Sequence, residues 1–387
     1  MTWPPAPFAG RAVLLFQGSE PMTRNSARRL MGMAAGALSV AALLAVVPGS
    51  AVSADRPGTA AEPGAAQAEG KPRPDARHVV IAVHGGAGTA LKREDTTPAQ
   101  EKAYRDGLAE ALRAGQKILA KGGSSVAATE AAVRRLEDNP LFNAGKGAVF
   151  NEDAGHELDA SVMRGSDLAA GAVAGVRHVR NPVSAARLVM ERTKHVLLAG
   201  QGADDFAARS GLPTVTQDYY WTEKRWQELM KAKGRTKGSG ETLTQGTVGA
   251  VAVDGKRNLA AATSTGGLTN KMAGRVGDSP VVGAGTYAKN ATVAASATGA
   301  GEVFLRGAAT VTLSNLIEFG GRDLATAAYE VLVERLPKLG GTGGVIALNA
   351  QGVFDAPHSS EGMLHGYLTE DGRIVTKVFA DETPANR

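Results

Sequence analysis

Gln245-Gly246-Thr247-Val248-Gly249-Ala250-Val251-Ala252-Val253-Asp254 lies deep in the chain, yet it reads like the start of a protein. A loose polar segment from Lys231 to Gln245 precedes it, carrying Gly234, Gly238, Gly240 and three lysines. An apolar, β-branched run follows directly, the pattern of a buried strand. If the bond between Gly246 and Thr247 is cut, Thr247 holds both a hydroxyl nucleophile and a free α-amine that can take its proton. An α-amine has a pKa of about 7.7–8.0, so near neutrality much of it is available as base. The same hydroxyl can first attack the Gly246 carbonyl, an N→O acyl shift followed by hydrolysis. Glycine at 246 admits backbone angles that a side chain forbids. Taken alone, the window reads more readily as an ordinary strand that opens on threonine.

The surrounding motifs decide between these readings. His84-Gly85-Gly86-Ala87-Gly88 follows the apolar run Val79 to Val83. Pro140 to Phe150 contains Phe142-Asn143-Ala144-Gly145-Lys146-Gly147 and is followed by His156-Glu157-Leu158-Asp159-Ala160-Ser161. Beyond Thr247 come Thr263-Ser264-Thr265-Gly266-Gly267, then Gly274-Arg275-Val276-Gly277-Asp278-Ser279-Pro280, then Thr298-Gly299-Ala300-Gly301-Glu302 and Gly340-Gly341-Thr342-Gly343-Gly344. Each glycine motif alone is weak. As an ordered set from Arg77 to Tyr367 they resemble the plant-type L-asparaginase / isoaspartyl peptidase family, a branch of the N-terminal-nucleophile hydrolases.

That resemblance implies an α/β fold, the four-layer αββα sandwich, as one domain made of two chains: residues 77–246 and 247–387. It implies a threonine hydrolase acting on isoaspartyl dipeptides and L-asparagine. Thr247 would be nucleophile and base, with Gly246–Thr247 as the cleavage site. Thr265 would contact the nucleophile; on its own residues it is a strand threonine, with Thr263 two residues earlier. Thr298 and Gly299 would form an oxyanion hole, in place of an ordinary loop glycine. Arg275 would grip the substrate α-carboxylate with its forked guanidinium, and Asp278 its α-ammonium. Without the resemblance the two read as a solvated ion pair. Asn143 would help orient the reacting group. Main-chain oxygens of Leu136, Glu137, Asn139, Phe142, Ala144 and Lys146 would wrap a structural sodium ion, an all-oxygen cage suited to a hard cation. No cofactor is expected for catalysis, and the assembly expected is a homodimer of two-fragment units.

Composition excludes several other classes. The chain has 387 residues, 43% of them hydrophobic, and a formal net charge of +5. No basic stripe with interleaved aromatics argues for nucleic acid. There are no cysteines, which removes disulfides, thiolate metal sites and cysteine nucleophiles. The histidines, His84 among them, show no metal-ligand spacing, and no Gly-Lys-Ser/Thr follows the glycine runs, which argues against a nucleotide. His84 ends a strand and reads as structural. Two alternatives stand beside the leading one: a glycosylasparaginase of the same architecture, and a non-catalytic secreted binding protein.

Arg24, Arg28 and Arg29 precede an apolar run from Leu30 to Val47 that ends in Ala51-Val52-Ser53-Ala54. The order of charge, apolar run and small residues reads as an export signal over residues 1–54, cut after Ala54, with an uncleaved anchor as the alternative. Met22 is a plausible start, and Arg28-Arg29 raises twin-arginine export. Residues 55–76, rich in Ala, Pro, Gly and Glu, read as a disordered linker. After removal of the leader no membrane contact is expected. Helices are expected over Ala99–Ala120, Val126–Leu136, Pro182–Thr193, Gly202–Arg209, Gly301–Phe319 and Leu324–Leu336. Strands are expected at Val79–Val83, Ala169–Val176, Val248–Val253, Leu259–Thr265, Val281–Thr286, Thr292–Thr298, Gly344–Asn349, Val353–Ala356 and Ile374–Phe379. Short turns between paired strands predict antiparallel order.

Overall fold

The computed structural model describes residues 73–88, 90–234 and 246–382. The expected leader, most of the linker and the stretch 235–245 ahead of Gly246 lie outside the described residues. The first part of the chain runs β1 (Val79–Ala87), α1 (Pro98–Leu119), α2 (Ser125–Glu137), β2 (Leu158–Arg164), β3 (Ala170–Val176), α3 (Pro182–Arg192), β4 (Leu197–Ala199), α4 (Gly200–Arg209) and α5 (Glu223–Lys233). After Gly246 come β5 (Val248–Val253), β6 (Leu259–Thr265), β7 (Thr286–Ala288), β8 (Ala294–Gly299), α6 (Gly301–Gly307), α7 (Ala309–Glu318) and α8 (Leu324–Tyr329). The chain closes with β9 (Gly343–Leu348), β10 (Phe354–Asp355), β11 (Met363–Thr369) and β12 (Ile374–Lys377).

Local chemistry starts these elements where the sequence says. Thr97 and Gln100 form a reciprocal capping box at α1, with Pro98 at the first helical position. Ser124 caps α2 by accepting from the amide of Ala127. Along β5 side chains alternate. Val248, Ala250 and Ala252 face the helices, while Val251 and Val253 face the second sheet.

Eight strands form one sheet in the order β12-β11-β1-β5-β6-β2-β3-β4, and four form another in the order β10-β9-β8-β7. All pairings are antiparallel except β3 with β4. Three apolar cores separate four layers. One lies between α1–α3 and the eight-stranded sheet, one between the sheets, and one between the small sheet and α7–α8. Each fully buried Leu, Val or Ile in them contributes about 1.5–3 kcal/mol, so the layers are held by many such side chains. This is the αββα sandwich that the resemblance implied.

Several expectations fail locally. Residues 281–285 turn instead of extending, because Gly283 accepts the return of the chain at φ +91° and its amide bonds the Thr286 carbonyl; the strand is Thr286–Ala288. The single helix expected over 301–319 breaks at Ala308, which sits at φ +43° between α6 and α7. The helix from Leu324 widens after Tyr329 into a π-helical stretch, Glu330–Arg335. Strand β11 was not anticipated. It is buried throughout, so its sequence does not alternate. The residues assigned to the linker end early as well: Ala76 exchanges both main-chain hydrogen bonds with Phe354, so the fold begins before Arg77.

Candidate active site

Thr247 stands one residue ahead of β5, whose ladder with β6 starts at Val248 opposite Ser264. Its hydroxyl donates to Oγ1 of Thr265 at 3.1 Å, and it is 6% exposed. Thr265 ends β6, on the same face as Thr263. Gly246 adopts φ +151°, a conformation open essentially to glycine alone.

The carbonyl oxygen of Gly246 receives two donors. Nδ2 of Asn143 lies 2.8 Å away and the Thr265 hydroxyl 3.2 Å away. Asn143 is fixed on every side. Its second amide proton goes to the Gly267 carbonyl at 2.7 Å, and its Oδ1 accepts from the amide of Val149 at 3.0 Å. The Thr265 oxygen also accepts from the Gly267 amide at 2.9 Å. One bond, Gly246–Thr247, is thus surrounded by a hydroxyl behind it and two donors on its carbonyl.

Thr298 and Gly299 close the end of β8. Ala294, Ser296 and Thr298 share the face of β8 that meets the large sheet, and Oγ1 of Thr298 accepts from the amide of Ala87 at the end of β1, 3.0 Å away. Gly299, at φ +145°, pairs with Gly343 on β9.

Arg275 and Asp278 do not form the surface pair that the sequence alone allowed. Arg275 donates to Glu302, in the first turn of α6, at 2.9 Å, and its side chain is only 15% exposed. Asp278 is buried, its Oδ2 has no partner, and burial pushes its pKa up to about 7 against the pull of Arg275. Both side chains close on Gly301. A Cβ on Gly301 would lie 2.8 Å from Nη2 of Arg275 and equally close to Oδ1 of Asp278. Arg275 also reaches back toward Gly267, whose carbonyl meets Asn143. A cation, an acid and the Gly246–Thr247 junction are therefore neighbours.

Sequence reasoning missed three residues in this cluster. Glu302 closed a quoted motif without a role. Lys271 is buried and donates to the Glu157 carbonyl at 2.7 Å; burial lowers its pKa against the attraction of Asp159 and Glu157. Asp159 is paired in register with Thr265, has one unpartnered oxygen, and is raised by burial. Charged residues in strands and loops are ordinarily solvent-facing, so no signal in one sequence marked Lys271 and Asp159 as buried.

Among the described residues no cluster of three or more His, Cys, Asp or Glu could hold a metal ion. The loop after α2 offers main-chain oxygens instead. Asn139, Phe142 and Ala144 each accept one amide hydrogen bond in a run of tight turns, which leaves a second lone pair on each carbonyl, while Leu136 accepts from both Asp138 and Asn139. Beside them the buried Glu137 carboxyl keeps Oε2 unpartnered. That donor set fits a hard cation.

A profile of the family described as Asparaginase matches residues 77–378. The chain is 52% identical over 310 residues to the isoaspartyl peptidase of Salmonella typhimurium, covering 78% of this chain and 99% of that protein. It is 51% identical over 311 residues to the isoaspartyl peptidase of Escherichia coli, covering 78% and 97%. To the isoaspartyl peptidase/L-asparaginase of Rattus norvegicus it is 45% identical over 291 residues, covering 74% and 84%.

Proposed function

This chain belongs to the asparaginase family, and from that premise we propose that it cuts itself at Gly246–Thr247 and then hydrolyses β-aspartyl (isoaspartyl) peptides and L-asparagine, releasing L-aspartate. The observation that carries the reading is the set of contacts around one peptide bond: the Thr247 hydroxyl on Thr265, and Asn143 and Thr265 on the Gly246 carbonyl.

In maturation the Thr247 oxygen attacks the Gly246 carbonyl carbon. Negative charge develops on the carbonyl oxygen, where Asn143 and Thr265 donate. The proton leaving Thr247 has Thr265 as its first acceptor. The C–N bond breaks, the α-amine is released, and water hydrolyses the ester. In turnover the same hydroxyl attacks the substrate's side-chain amide carbon, with the α-amine as base. Thr298 and Gly299 act as oxyanion donors, Arg275 holds the α-carboxylate, and Asp278 holds the α-ammonium. Two charges that must both be matched select a free amino-acid head group over an asparagine inside a chain. The leaving amine takes the proton held by the Thr247 amine, and water completes the cycle.

Three further parts belong to this reading. A sodium ion is held by the carbonyls of Leu136, Glu137, Asn139, Phe142, Ala144 and Lys146. Two cleaved units form a homodimer. The chain is exported, a proposal supported by the pattern of residues 24–54 in the sequence; among the described residues no helix is long and apolar enough to cross a membrane.

The test is a denaturing gel beside a substrate panel of β-Asp-Leu, L-asparagine and GlcNAc-asparagine. Two fragments are expected, the C-terminal one beginning Thr-Val-Gly-Ala, with β-Asp-Leu and L-asparagine turned over. Thr247→Ala should remain one chain and be inactive, and Thr247→Ser should keep part of both activities. A fully active single chain would overturn the mechanism.

A further inference from the structure

The ladder of β5 begins at Val248, so Thr247 itself is outside it. Once the bond before it is cut, Thr247 is a chain terminus, and termini fray unless tied down. Its carbonyl oxygen is held by a side chain from the other fragment: Nδ1 of His84 at 2.9 Å. A carbonyl only accepts, so Nδ1 must carry the proton at this contact. Burial drops the His84 pKa to about 3, so the ring is neutral and Nε2 is an acceptor. Nε2 lies 2.9 Å from the Ser296 hydroxyl, which must therefore donate.

The constraint propagates. Ser296 accepts from Thr263 at 2.7 Å, Thr263 accepts from Thr286, and Thr286 accepts from Ser161 at 2.7 Å. The five side chains are completely buried between the sheets. Ser161 also lies 2.6 Å from the carbonyl of Ser279. The chain has six contacts, from the Thr247 carbonyl to the Ser279 carbonyl, and five protons to fill them. One end competes with the other, and the order that serves Thr247 is the one with Nδ1 protonated. The sheet yields room for this arrangement: a Cβ on Gly249 would stand 2.0 Å from Oγ of Ser296 and 2.4 Å from Nε2 of His84.

We propose that His84 is a positioning residue for the nucleophile: as its Nδ1–H tautomer it pins the Thr247 carbonyl and keeps the hydroxyl and amine of that residue in line after the peptide bond ahead of it is gone. The inference rests on the proposed function, since it needs Thr247 to be the reacting residue. It does not make His84 an acid or a base.

Two measurements test it on the mature protein. Nitrogen-15 NMR of histidine-labelled enzyme should show His84 as the Nδ1–H tautomer at pH 6 and pH 8; an Nε2–H tautomer or an imidazolium would overturn the proposal whatever the kinetics show. The second is a pair of variants. His84→Asn places an amide donor where Nδ1 stood and should restore the contact. His84→Gln reaches toward Ser296 and leaves the carbonyl free. For His84→Gln a fall in kcat on the order of 10²-fold with KM nearly unchanged is expected, the scale for a misplaced reacting group, while His84→Asn should recover most of it. Equal kcat in the two variants would overturn the proposal. Cleavage of the precursor, followed on a gel, gives the same comparison if a variant never completes maturation, and the NMR result stands even if neither variant folds. A wild-type chain that stays uncut and inactive on β-Asp-Leu would instead overturn the proposed function, and is read separately from the tautomer.

Discussion

Nδ2 of Asn143 lies 2.8 Å from the carbonyl oxygen of Gly246, the acyl half of the bond to Thr247. In the uncut chain this amide is aimed where negative charge would appear during self-cleavage. Asn143→Ala should slow maturation by on the order of 10²-fold or more, the usual effect of losing one such donor. The measurement is a cleavage time course of freshly purified precursor. A wild-type half-time would remove Asn143 from the cleavage step.

Gly301→Ala should separate binding from maturation. Its methyl group would press on both Arg275 and Asp278, closer than ordinary contact allows, displacing the two head-group partners and raising KM for β-Asp-Leu at least as strongly as it lowers kcat. Gel cleavage should be close to wild type, since no substrate head group takes part in it. Arg275→Lys, which keeps charge but loses the fork, and Asp278→Asn should show the same split. Wild-type KM in Gly301→Ala would place the head group elsewhere.

The acid limb of the pH profile should differ between the two kinetic constants. In the free enzyme Asp278, with its pKa pushed to about 7, gains a proton as pH falls and loses its attraction for an ammonium. The Thr247 amine, with an ordinary pKa of about 7.7–8.0, is inactivated by a proton over nearly the same range. Both groups shape kcat/KM, which reports the free enzyme, whereas a bound ammonium holds Asp278 ionised and leaves kcat to the amine. Below pH 7, kcat/KM should fall with a slope steeper than kcat does. Equal slopes would mean that Asp278 is not the ammonium partner.

A separate acid tests the stability side of burial. Asp355, at the β10 edge, is raised to about 8 by desolvation and by the neighbouring Asp75, despite an amide bond from Ala356. The unfolded chain releases this proton near the ordinary aspartate value of 3.8. Between these values the folded state binds the extra proton, so its contribution to stability is whole below the unfolded pKa and disappears as pH rises through about 8. The melting temperature should therefore drop less from pH 6 to pH 9 in Asp355→Asn than in wild type. Parallel curves would show that Asp355 is ionised in the folded protein.

Much of this architecture was legible because its signals were local. The β5 and β6 runs carry a strand pattern, the stretches 99–120 and 126–136 a helical one, and the glycine motifs bear on one site. What stayed hidden was relational. Met363 to Thr369 contains histidine, glycine and threonine, and nothing in that string says that both faces are covered. Thr263, Thr286 and Ser161 read as strand-favouring hydroxyl residues, since their partners come from other strands. Asp278 and Lys271 look like solvated charges until the layers that bury them are in place. At Ala308 the left-handed residue is not itself a glycine, and Gly307 just before it is one glycine among many in this chain.

The position of β5 in the eight-stranded sheet sets the order in which the molecule must be made. β5 lies between β1, which precedes the proposed cut, and β6, which follows it; β1 in turn lies between β5 and β11, and β6 meets β2. Strands from before and after residue 246 are interleaved in one hydrogen-bonded ladder. Such a sheet closes most readily while its strands share a polypeptide, because loop closure within one chain is far less demanding than finding a second molecule. Cutting at Gly246 leaves the native contacts in place but removes that advantage. A matured molecule that unfolds has to recover its sheet by a bimolecular encounter, in competition with aggregation. Its working lifetime is then governed by how slowly it unfolds, and self-activation becomes a step taken once, with no refolding to fall back on.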